Sequence, residues 1–391
     1  MNSFYQVLRN ELKTIFSDVG VLIVFLGAVV IYSFFYPLPY LPQVLRDVPV
    51  VVVDQDKSSL SRKLIRMSDA HPFLYVTQLA GSVSEAEDWV RSGRLGGLIF
   101  IPKGFSREIA RGGQATVGVY ADTGYFLVYR QVMTGMVTAT RTLSAGVEIR
   151  RLQAGGKTAR QAMAAQRPLA LITTPLFNPS EGYANYVVPA ILVLILQQTL
   201  LIGIGMVGGT ARENRELQAG GATFNAFTVI SGRAAAYLIL YAVNAVYYFF
   251  VVFGIYGFPQ RGTPYTVMLF LFPFLLSIIL LGLTLDGLFH RRETAIQALL
   301  ITSLPAVFLS GFSWPVEAIP GWLRMFSFLI PSTSGIEGFL RINEMGATLH
   351  DVRWEWLVLW GLCILYYLLA SCSLRRRMHL LGKSLTNFIM K

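Results

Sequence analysis

The sequence predicts an α-helical polytopic membrane protein with six transmembrane helices, an inserted α/β domain outside the membrane and a long helical stalk. Three observations carry that prediction. Residues 19–36, VGVLIVFLGAVVIYSFFY, form a first apolar span; no second begins until Tyr186; five more then crowd into the last half of the chain. Composition agrees, with a mean hydropathy of +0.53 and 14% charged residues against about 25% in a soluble domain.

The later spans are expected at 186–207, 234–256, 265–289, 294–312 and 356–374, each near the ~20 apolar residues that cross a hydrocarbon core of ~30 Å. Ahead of the first span, Phe4, Val7, Leu8, Leu12, Ile15 and Phe16 recur at helical spacing, with Arg9, Glu11 and Lys13 elsewhere. That pattern predicts an amphipathic helix lying in the membrane interface. No small-residue cleavage site follows Tyr36, where Pro37, Leu38 and Pro39 come instead, so the first span reads as an anchor and not as a secretory leader. The domain layout follows: 1–36 for the interfacial helix and first span, 37–185 for the external domain and stalk, 186–374 for the remaining spans with a broken external segment at 314–345, and 375–391 for a basic tail.

Positive charge is retained on the cytoplasmic side of short loops. With both termini inside, the cytoplasmic ends hold twelve Lys and Arg, among them Arg9, Lys13, Arg212, Arg215, Arg233, Arg291, Arg292 and Arg375–Arg377. The short external connections hold four: Arg261, Arg324, Arg341 and Arg353. The net charge of +11 is therefore largely a membrane feature, and nucleic acid is not an expected partner. Residues 37–185 carry 17 Lys and Arg against 11 Asp and Glu, a surplus that suits a solvated surface, anionic lipid head groups or an acidic partner. The two cysteines, Cys363 and Cys372, fall in the last span, so the inserted domain is held without a disulfide.

Within the insert, strands are expected at 48–53, 73–79, 97–101 and 115–121, alternating with helices at 58–68, 84–91 and 102–110. Ser84 with Glu87 is read as a capping box. The alternation implies an α/β layer with a partly parallel sheet, and the helical pattern from about Tyr125 to Ala165, interrupted at Gly155 and Gly156, suits a stalk.

Catalytic constellations are scarce. Gly156-Lys157-Thr158 and Gly382-Lys383-Ser384 resemble the end of a phosphate loop, but Arg151 and Arg377 stand where the motif needs glycine. The four histidines are isolated, without metal-ligand spacing. Asp54 and Asp56 precede Ser58 and Ser59, which reads as a turn and helix cap ahead of a metal or acid pair. No enzyme activity is expected of this chain.

Around the last two spans, residues 309–323 read LSGFSWPVEAIPGWL and 331–341 read PSTSGIEGFLR. Pro315, Pro320 and Pro331 should break the backbone into short helical pieces, kept at membrane depth by Trp314, Ile319, Trp322, Leu323, Phe326 and Phe328. Broken backbone is tolerated there against protein or a wet cavity, and a plain interfacial hairpin is the blander reading. Glu337 and Arg341, one turn apart, are placed to pair.

At these residues the chain resembles the type 2 ABC exporter permeases, in particular the branch with a large external domain between the first two spans. The resemblance rests on Gly311, Pro315, Glu317, Pro320, Pro331, Glu337 and Arg341, and on VVVVDQDKSSLSRKL at 50–64 and SEAEDWVRSGRLGGLIFIPKGFSREI at 84–109 followed by Asp122. It implies a bacterial inner-membrane subunit with a periplasmic insert, paired with a second permease, identical or closely related. ATP and Mg would be bound and ATP hydrolysed by a separate ABC ATPase subunit, with no cofactor on this chain. A periplasmic membrane fusion protein and an outer-membrane channel are further implied partners, with membrane lipids around the spans. The resemblance puts ATPase docking on the N-terminal helix and on residues 211–233, where Arg212, Glu213, Arg215 and Glu216 match the charged start while Gln218–Thr223 departs from the family's pattern.

For a substrate path, Gln197 and Gln198 in the second span and Gln297 in the fifth are candidates, because the resemblance puts those spans at the dimer interface. Tyr237, Tyr241, Asn244 and Tyr248 share one face of the third span, which suits either an amphiphilic substrate or packing between helices. Asp286 is expected to pair locally with His290 and Arg291 rather than to relay protons. The expected function is ATP-driven export of hydrophobic or amphiphilic molecules, drug-like compounds or lipids. The alternative is a non-transporting membrane-anchored scaffold or sensor whose external domain binds a ligand or partner.

Overall fold

A computed structural model describes residues 2–213 and 225–389, with side chains up to Arg376. Along the chain come α1 (Asn2–Ser17), α2 (Val19–Tyr40), β1 (Val48–Asp54), α3 (Ser59–Asp69) and β2 (Leu74–Leu79). Next are α4 (Val83–Arg91), β3 (Gly97–Ile101), α5 (Phe105–Ala110), β4 (Gly118–Ala121), α6 (Phe126–Ala154) and α7 (Ala159–Gln166). The rest is helical: α8 (Tyr183–Glu213), α9 (Ala226–Tyr256), α10 (Pro264–Leu285), α11 (Arg292–Leu309), α12 (Gly321–Ser327), α13 (Pro331–Met345) and α14 (Arg353–Ile389). The chain divides into two compact units, one formed by Val44–Thr174 and the other by Met1–Gln43 with Pro175–Lys391.

In the helical unit five helices among the described residues are long and apolar enough to cross a membrane: α2, α8, α9, Pro264–Leu288 and Arg353–Arg376. The segment expected as a further span folds as α11, which is short, opens on Arg292 and Glu293 and contains Pro305. Of the apolar window in α8, 89% is buried, against 22% in α2. This follows from a helix that is apolar all round, which can sit only at the centre of a bundle. The spans are tied by polar side chains set in apolar faces. A π-helical turn at Ile23–Gly27 in α2 disturbs the regular ladder of backbone bonds, and the Phe25 carbonyl accepts a bond from Asn244 Nδ2 of α9 at 2.9 Å. Tyr241 donates to Thr199 of α8 at 3.0 Å. Gln197 of α8 caps α13, its Oε1 accepting from the Ser332 N–H at 2.7 Å and its Nε2 donating to Ser332 Oγ at 3.0 Å.

The borders of the helical unit lie inside the 37–185 span expected for the insert. Asn185 Nδ2 donates to Asn178 Oδ1 at 3.1 Å, Gln43 Nε2 donates to Asn185 Oδ1 at 3.0 Å, and the Tyr183 N–H donates to the Gln43 carbonyl at 2.7 Å. These bonds hold the end of the first span's connection and the lead into α8 together as part of the helical unit. In these stretches Gln43, Phe177 and Glu181 adopt positive φ, a conformation that non-glycine residues adopt only when surrounding contacts fix it.

The Val44–Thr174 unit is built on a four-stranded sheet ordered β2-β1-β3-β4, parallel across β2-β1-β3 and antiparallel at β4. The run Val50–Val53 is buried on both faces, as a central parallel strand requires. One face packs α3 and α6 and the other packs α4. The first half of α6, expected as a stalk, is core: Val132, Met136, Ala139 and Leu143 are buried against the sheet. The cap of α4 falls two residues earlier than expected. Ser82 Oγ accepts from Glu85 N–H at 3.2 Å and Glu85 turns back to the Gly81 N–H at 3.0 Å, a register that brings Val83 as well as Ala86 and Val90 onto the sheet.

Asp54 and Asp56 act as turn and cap residues. Asp54 accepts from Asp56 N–H, Lys57 N–H and Ser61 Oγ, and Asp56 from the N–H groups of Gly104 and Ser106 at 3.0 and 3.1 Å. Burial opposes ionisation of Asp56, but hydrogen bonds from Ser58, Ser106 and the Gly104 N–H outweigh it and hold its carboxyl below the usual range. Asp56→Ala should therefore cost this unit about 1–3 kcal/mol, read as faster proteolysis within 44–174 of the full chain near neutral pH. Because the folded-state value is the lower one, the contribution exists above the unfolded carboxylate value and is lost as pH falls below about 4. The gap between variant and parent should close there.

Candidate functional site

Two features of the helical unit bring chemistry together: a cluster of buried charges and a cavity. The charges come from the ends of helices. Asp286 follows α10 in a 3-10 turn, Asp286–Leu288, and is 3% exposed. Its Oδ1 meets Arg212 Nη2 of α8 at 3.2 Å and its Oδ2 meets Arg233 Nη1 of α9 at 3.1 Å. Arg233 Nε also binds Glu11 Oε1 of α1 at 2.8 Å, and Tyr237 donates to the same oxygen at 2.6 Å. Arg212 further donates to the Phe289 carbonyl.

The expected local pairing of Asp286 with His290 and Arg291 is thus corrected. The helix gives way to the tighter turn at Asp286, the one-turn register is lost, and the carboxylate turns to arginines of two other helices. Glycine makes room for it: a Cβ at Gly208 of α8 would overlap the Asp286 carboxylate, and one at Gly209 would strike the backbone of Arg291 and Arg292.

A second ion pair lies beside the first. Arg292 meets Asp18 through both oxygens at 2.8 and 3.1 Å, while Asp18 Oδ1 caps α2 by accepting from Gly20 and Val21 N–H. Asp18 stands just ahead of the span. Burial pushes its carboxyl up, and the Val21 N–H and the Arg292 guanidinium more than offset this, so its pKa lies below the usual value. Glu213 accepts from the Arg292 N–H at 3.2 Å.

Arg212 and Glu213, expected as docking residues, are therefore engaged within the chain, and the Arg212 side chain is only 16% exposed. Arg215 and Glu216 lie outside the described residues. Glu11 was the residue missed. It shares the inward face of α1 with Phe4, Val7, Leu8 and Ile15, and its four- and three-residue spacing to those positions is the signal that locates it.

The cavity, of about 730 Å³, lies between α2, α8 and α11. Its wall is mainly apolar, with Ile191, Leu194, Ile195 and Ile202 of α8 facing Ile296, Leu300 and Leu304 of α11. Tyr32, Tyr36, Tyr40, Tyr183 and Tyr186 line one part of it, the rings of Tyr183 and Tyr40 lying tilted to each other with centroids 5.4 Å apart. Gln198 joins this wall, and its buried Oε1 makes no hydrogen bond.

The other expected path residues fall elsewhere. Gln197 faces α13, Tyr241 and Asn244 are closed into helix packing by the bonds described above, and Gln297 is exposed on the face of α11 that carries Ile301, Leu304 and Phe308. Packing wins for Tyr241 and Asn244 because a polar group buried among apolar helices must find an internal partner.

In the segment after α11 each proline opens a helical piece. Pro315 precedes Val316–Ala318 with Glu317 inside it, Pro320 precedes α12, and Pro331 is the first residue of α13. Gly311 turns the chain at φ +82°. Glu337 is exposed, and Arg341 pairs instead with Glu355 of α14 at 2.6 Å while donating to the Asp351 carbonyl at 2.8 Å. Glu355 competes successfully because it comes from a neighbouring helix without requiring a side chain to fold along its own surface. Among the described residues no group of His, Cys, Asp and Glu could hold a metal ion.

The profile of the ABC-2 family transporter proteins matches residues 19–372, and the chain belongs to that family. It is 22% identical over 370 residues to the probable multidrug ABC transporter permease YbhR of Escherichia coli, covering 92% of this chain and 94% of that protein. It is also 23% identical over 330 residues to the linearmycin resistance permease protein LnrN of Bacillus subtilis, 78% of this chain and 82% of that one. The chain is accordingly a transmembrane permease subunit of an ABC transporter, and its family implies an ABC ATPase as partner.

Breaking the Asp286 cluster is expected to be costly, since a charge left alone in a buried site loses about 3–5 kcal/mol. Gly208→Ala tests the geometry without touching a charge. It should lower the thermal stability of the purified chain by the equivalent of about 1–3 kcal/mol, whereas Gly254→Ala, where a Cβ meets open space, should leave it unchanged.

Proposed function

We propose that this chain is the permease subunit of an ATP-driven exporter that moves hydrophobic or amphiphilic molecules outward across a bacterial inner membrane. In this reading α11 completes six crossings, both termini are cytoplasmic, and the Val44–Thr174 unit stands on the periplasmic side, where an adaptor and an outer-membrane channel could take over the substrate. Two permeases meet across the exposed apolar face of α11, and a separate ABC ATPase supplies the energy. The observation that carries the reading is the cavity between α2, α8 and α11, apolar apart from its tyrosines, a few hydroxyls and the unpartnered Gln198 Oε1. Such a wall suits a molecule with a large apolar body and a hydrogen-bond donor. The names of the two relatives, a multidrug permease and a resistance permease, support export of drug-like compounds.

A second reading, a membrane-anchored sensor, draws on an open groove of about 610 Å³ in the Val44–Thr174 unit, lined by Phe105, Leu143, Val147 and Arg151 among others. Reconstitution of the chain with its co-purifying ATPase separates the two. Export predicts ATP-dependent movement of an amphiphilic dye, and Ile195→Trp, which fills the cavity, should lower that movement about tenfold while the ATPase still copurifies. A chain that binds no ATPase, or whose dye movement ignores ATP, would overturn the exporter reading.

A further inference from the structure

The wall of the cavity between α2, α8 and α11 has a definite electrostatic sign. Among the described residues that line it none is charged, and Arg292, one turn before the lining residue Ile296 on α11, is held by Asp18 at 2.8 Å. No cation of the wall is therefore on hand to hold an anion. Four hydroxyl groups of the wall donate their protons inside the protein: Thr199 to the Ile195 carbonyl at 2.7 Å, Ser303 to the Leu300 carbonyl at 2.6 Å, Ser313 to the Val307 carbonyl at 3.1 Å and Tyr186 to the Phe312 carbonyl. These groups keep only lone pairs, and the buried Gln198 Oε1 is a further acceptor without a partner. Tyrosine rings supply the rest of the sign. Tyr32, Tyr36 and Tyr40 recur every four residues along α2, which sets them on one face, and Tyr183 and Tyr186 stand three apart at the start of α8. Their rings meet at a tilt: 51° at 5.5 Å for Tyr32 with Tyr36, 54° at 5.4 Å for Tyr40 with Tyr183, and 55° at 6.4 Å for Tyr183 with Tyr186. Rings tilted in this way do not cover one another, so their faces, the negative part of the ring quadrupole, remain available.

We infer that the substrate of this cavity is an organic cation: an amphiphile whose tertiary or quaternary ammonium head rests among the five tyrosines and whose apolar body lies along the isoleucines and leucines of α8 and α11. The inference rests on the exporter reading and deepens it by naming the substrate class. A bulky ammonium suits the wall for two reasons. Its charge is spread over its alkyl groups, so it loses less hydration than a primary ammonium on entering an apolar site, and it is attracted by each aromatic face within about 6 Å. An anion of the same shape would meet lone pairs and ring faces of its own sign. Tyrosine also anchors helices at a membrane boundary, a role that sets no preference among ligands.

The test uses the full chain in dodecyl maltoside and reads the fluorescence anisotropy of three dansyl probes that share one apolar body. One carries a trimethylammonium head, the second an uncharged tert-butyl head in its place and the third a sulfonate head; Ile195→Trp, which fills the cavity, gives the background. The trimethylammonium probe should bind about tenfold more tightly than the tert-butyl probe, and the sulfonate probe more weakly than either. Tyr36→Leu should lower that preference about threefold, whereas Tyr36→Phe, which keeps the ring face, should retain it. Tyr183→Leu against Tyr183→Phe repeats the comparison if a Tyr36 variant fails to fold. Unlabelled dodecyltrimethylammonium and lysophosphatidylcholine, as competitors, separate a free cation from a lipid head group; displacement by either sustains the inference, and displacement by neither overturns it. Equal binding of the charged and uncharged probes, or leucine variants that keep the parent preference, overturns it too. A complex with its ATPase that prefers the cation yet moves no dye with ATP would instead overturn the exporter reading and leave the binding preference standing.

Discussion

Four buried charges at the ends of α1, α8, α9 and α10 set the constraint on which the helical unit depends. Apolar helices packed together have no strong preference for register, because sliding one past another exchanges one set of dispersion contacts for a similar set. A carboxylate that must face two guanidinium groups removes that freedom. With Asp286 held by Arg212 and Arg233, and Arg233 held by Glu11, four helix ends are fixed at one level. Asp18 with Arg292 fixes the starts of α2 and α11 at a second point. The interior can then remain apolar, with single amides and hydroxyls such as Gln197, Thr199 and Asn244 setting rotation.

Steric permission matters as much as charge. Gly208 and Gly209 lie on α8 where a neighbouring turn carries Asp286 and Arg292. With Cβ atoms at these two positions the cluster could not close, however strong its electrostatics. The same segment of α8 thus supplies a void and, three residues further on, a charge. That arrangement favours a single packing over alternatives, since a buried charge without its partners costs far more than a lost apolar contact.

Much of this was legible in the sequence because it depends on local period. The long apolar runs located the spans, β-branched runs located β1 and β3, and each proline of the broken segment opens a helical piece where the chemistry of proline places it. What was not legible depended on partners far along the chain. Asp286 and Glu337 each had a basic residue one turn away, and in both cases the helix-surface pairing rule pointed to the wrong partner. Asp286 turned to other helices, and Arg341 turned to Glu355. The tyrosine stripe on α9 was correctly seen as one face, but only the Phe25 carbonyl released in α2 and the hydroxyl of Thr199 showed that this face is packing. α11 marks the limit of hydropathy: its charged opening and Pro305 dilute the apolar signal, although its Leu300 and Leu304 line the cavity.

α8 joins the cavity and the charge cluster. Gln198, in the cavity wall, and Gly208, against Asp286, stand ten residues apart on one helix, a separation of about 15 Å. Gln197, next to Gln198, caps α13 and so ties the same turn of α8 to the broken segment. A shift of the charged end of α8 would therefore act on the cavity wall and on the first turn of α13 through one rigid element, without a chain of weak contacts in between. Pro189 lies beyond this stretch, toward the start of the helix, so no proline interrupts α8 between the cavity and the charge cluster. The helix that carries the unpartnered Gln198 acceptor also carries Arg212 and the glycines that seat Asp286 and Arg292, so the cavity wall and the charge cluster are parts of one rigid element.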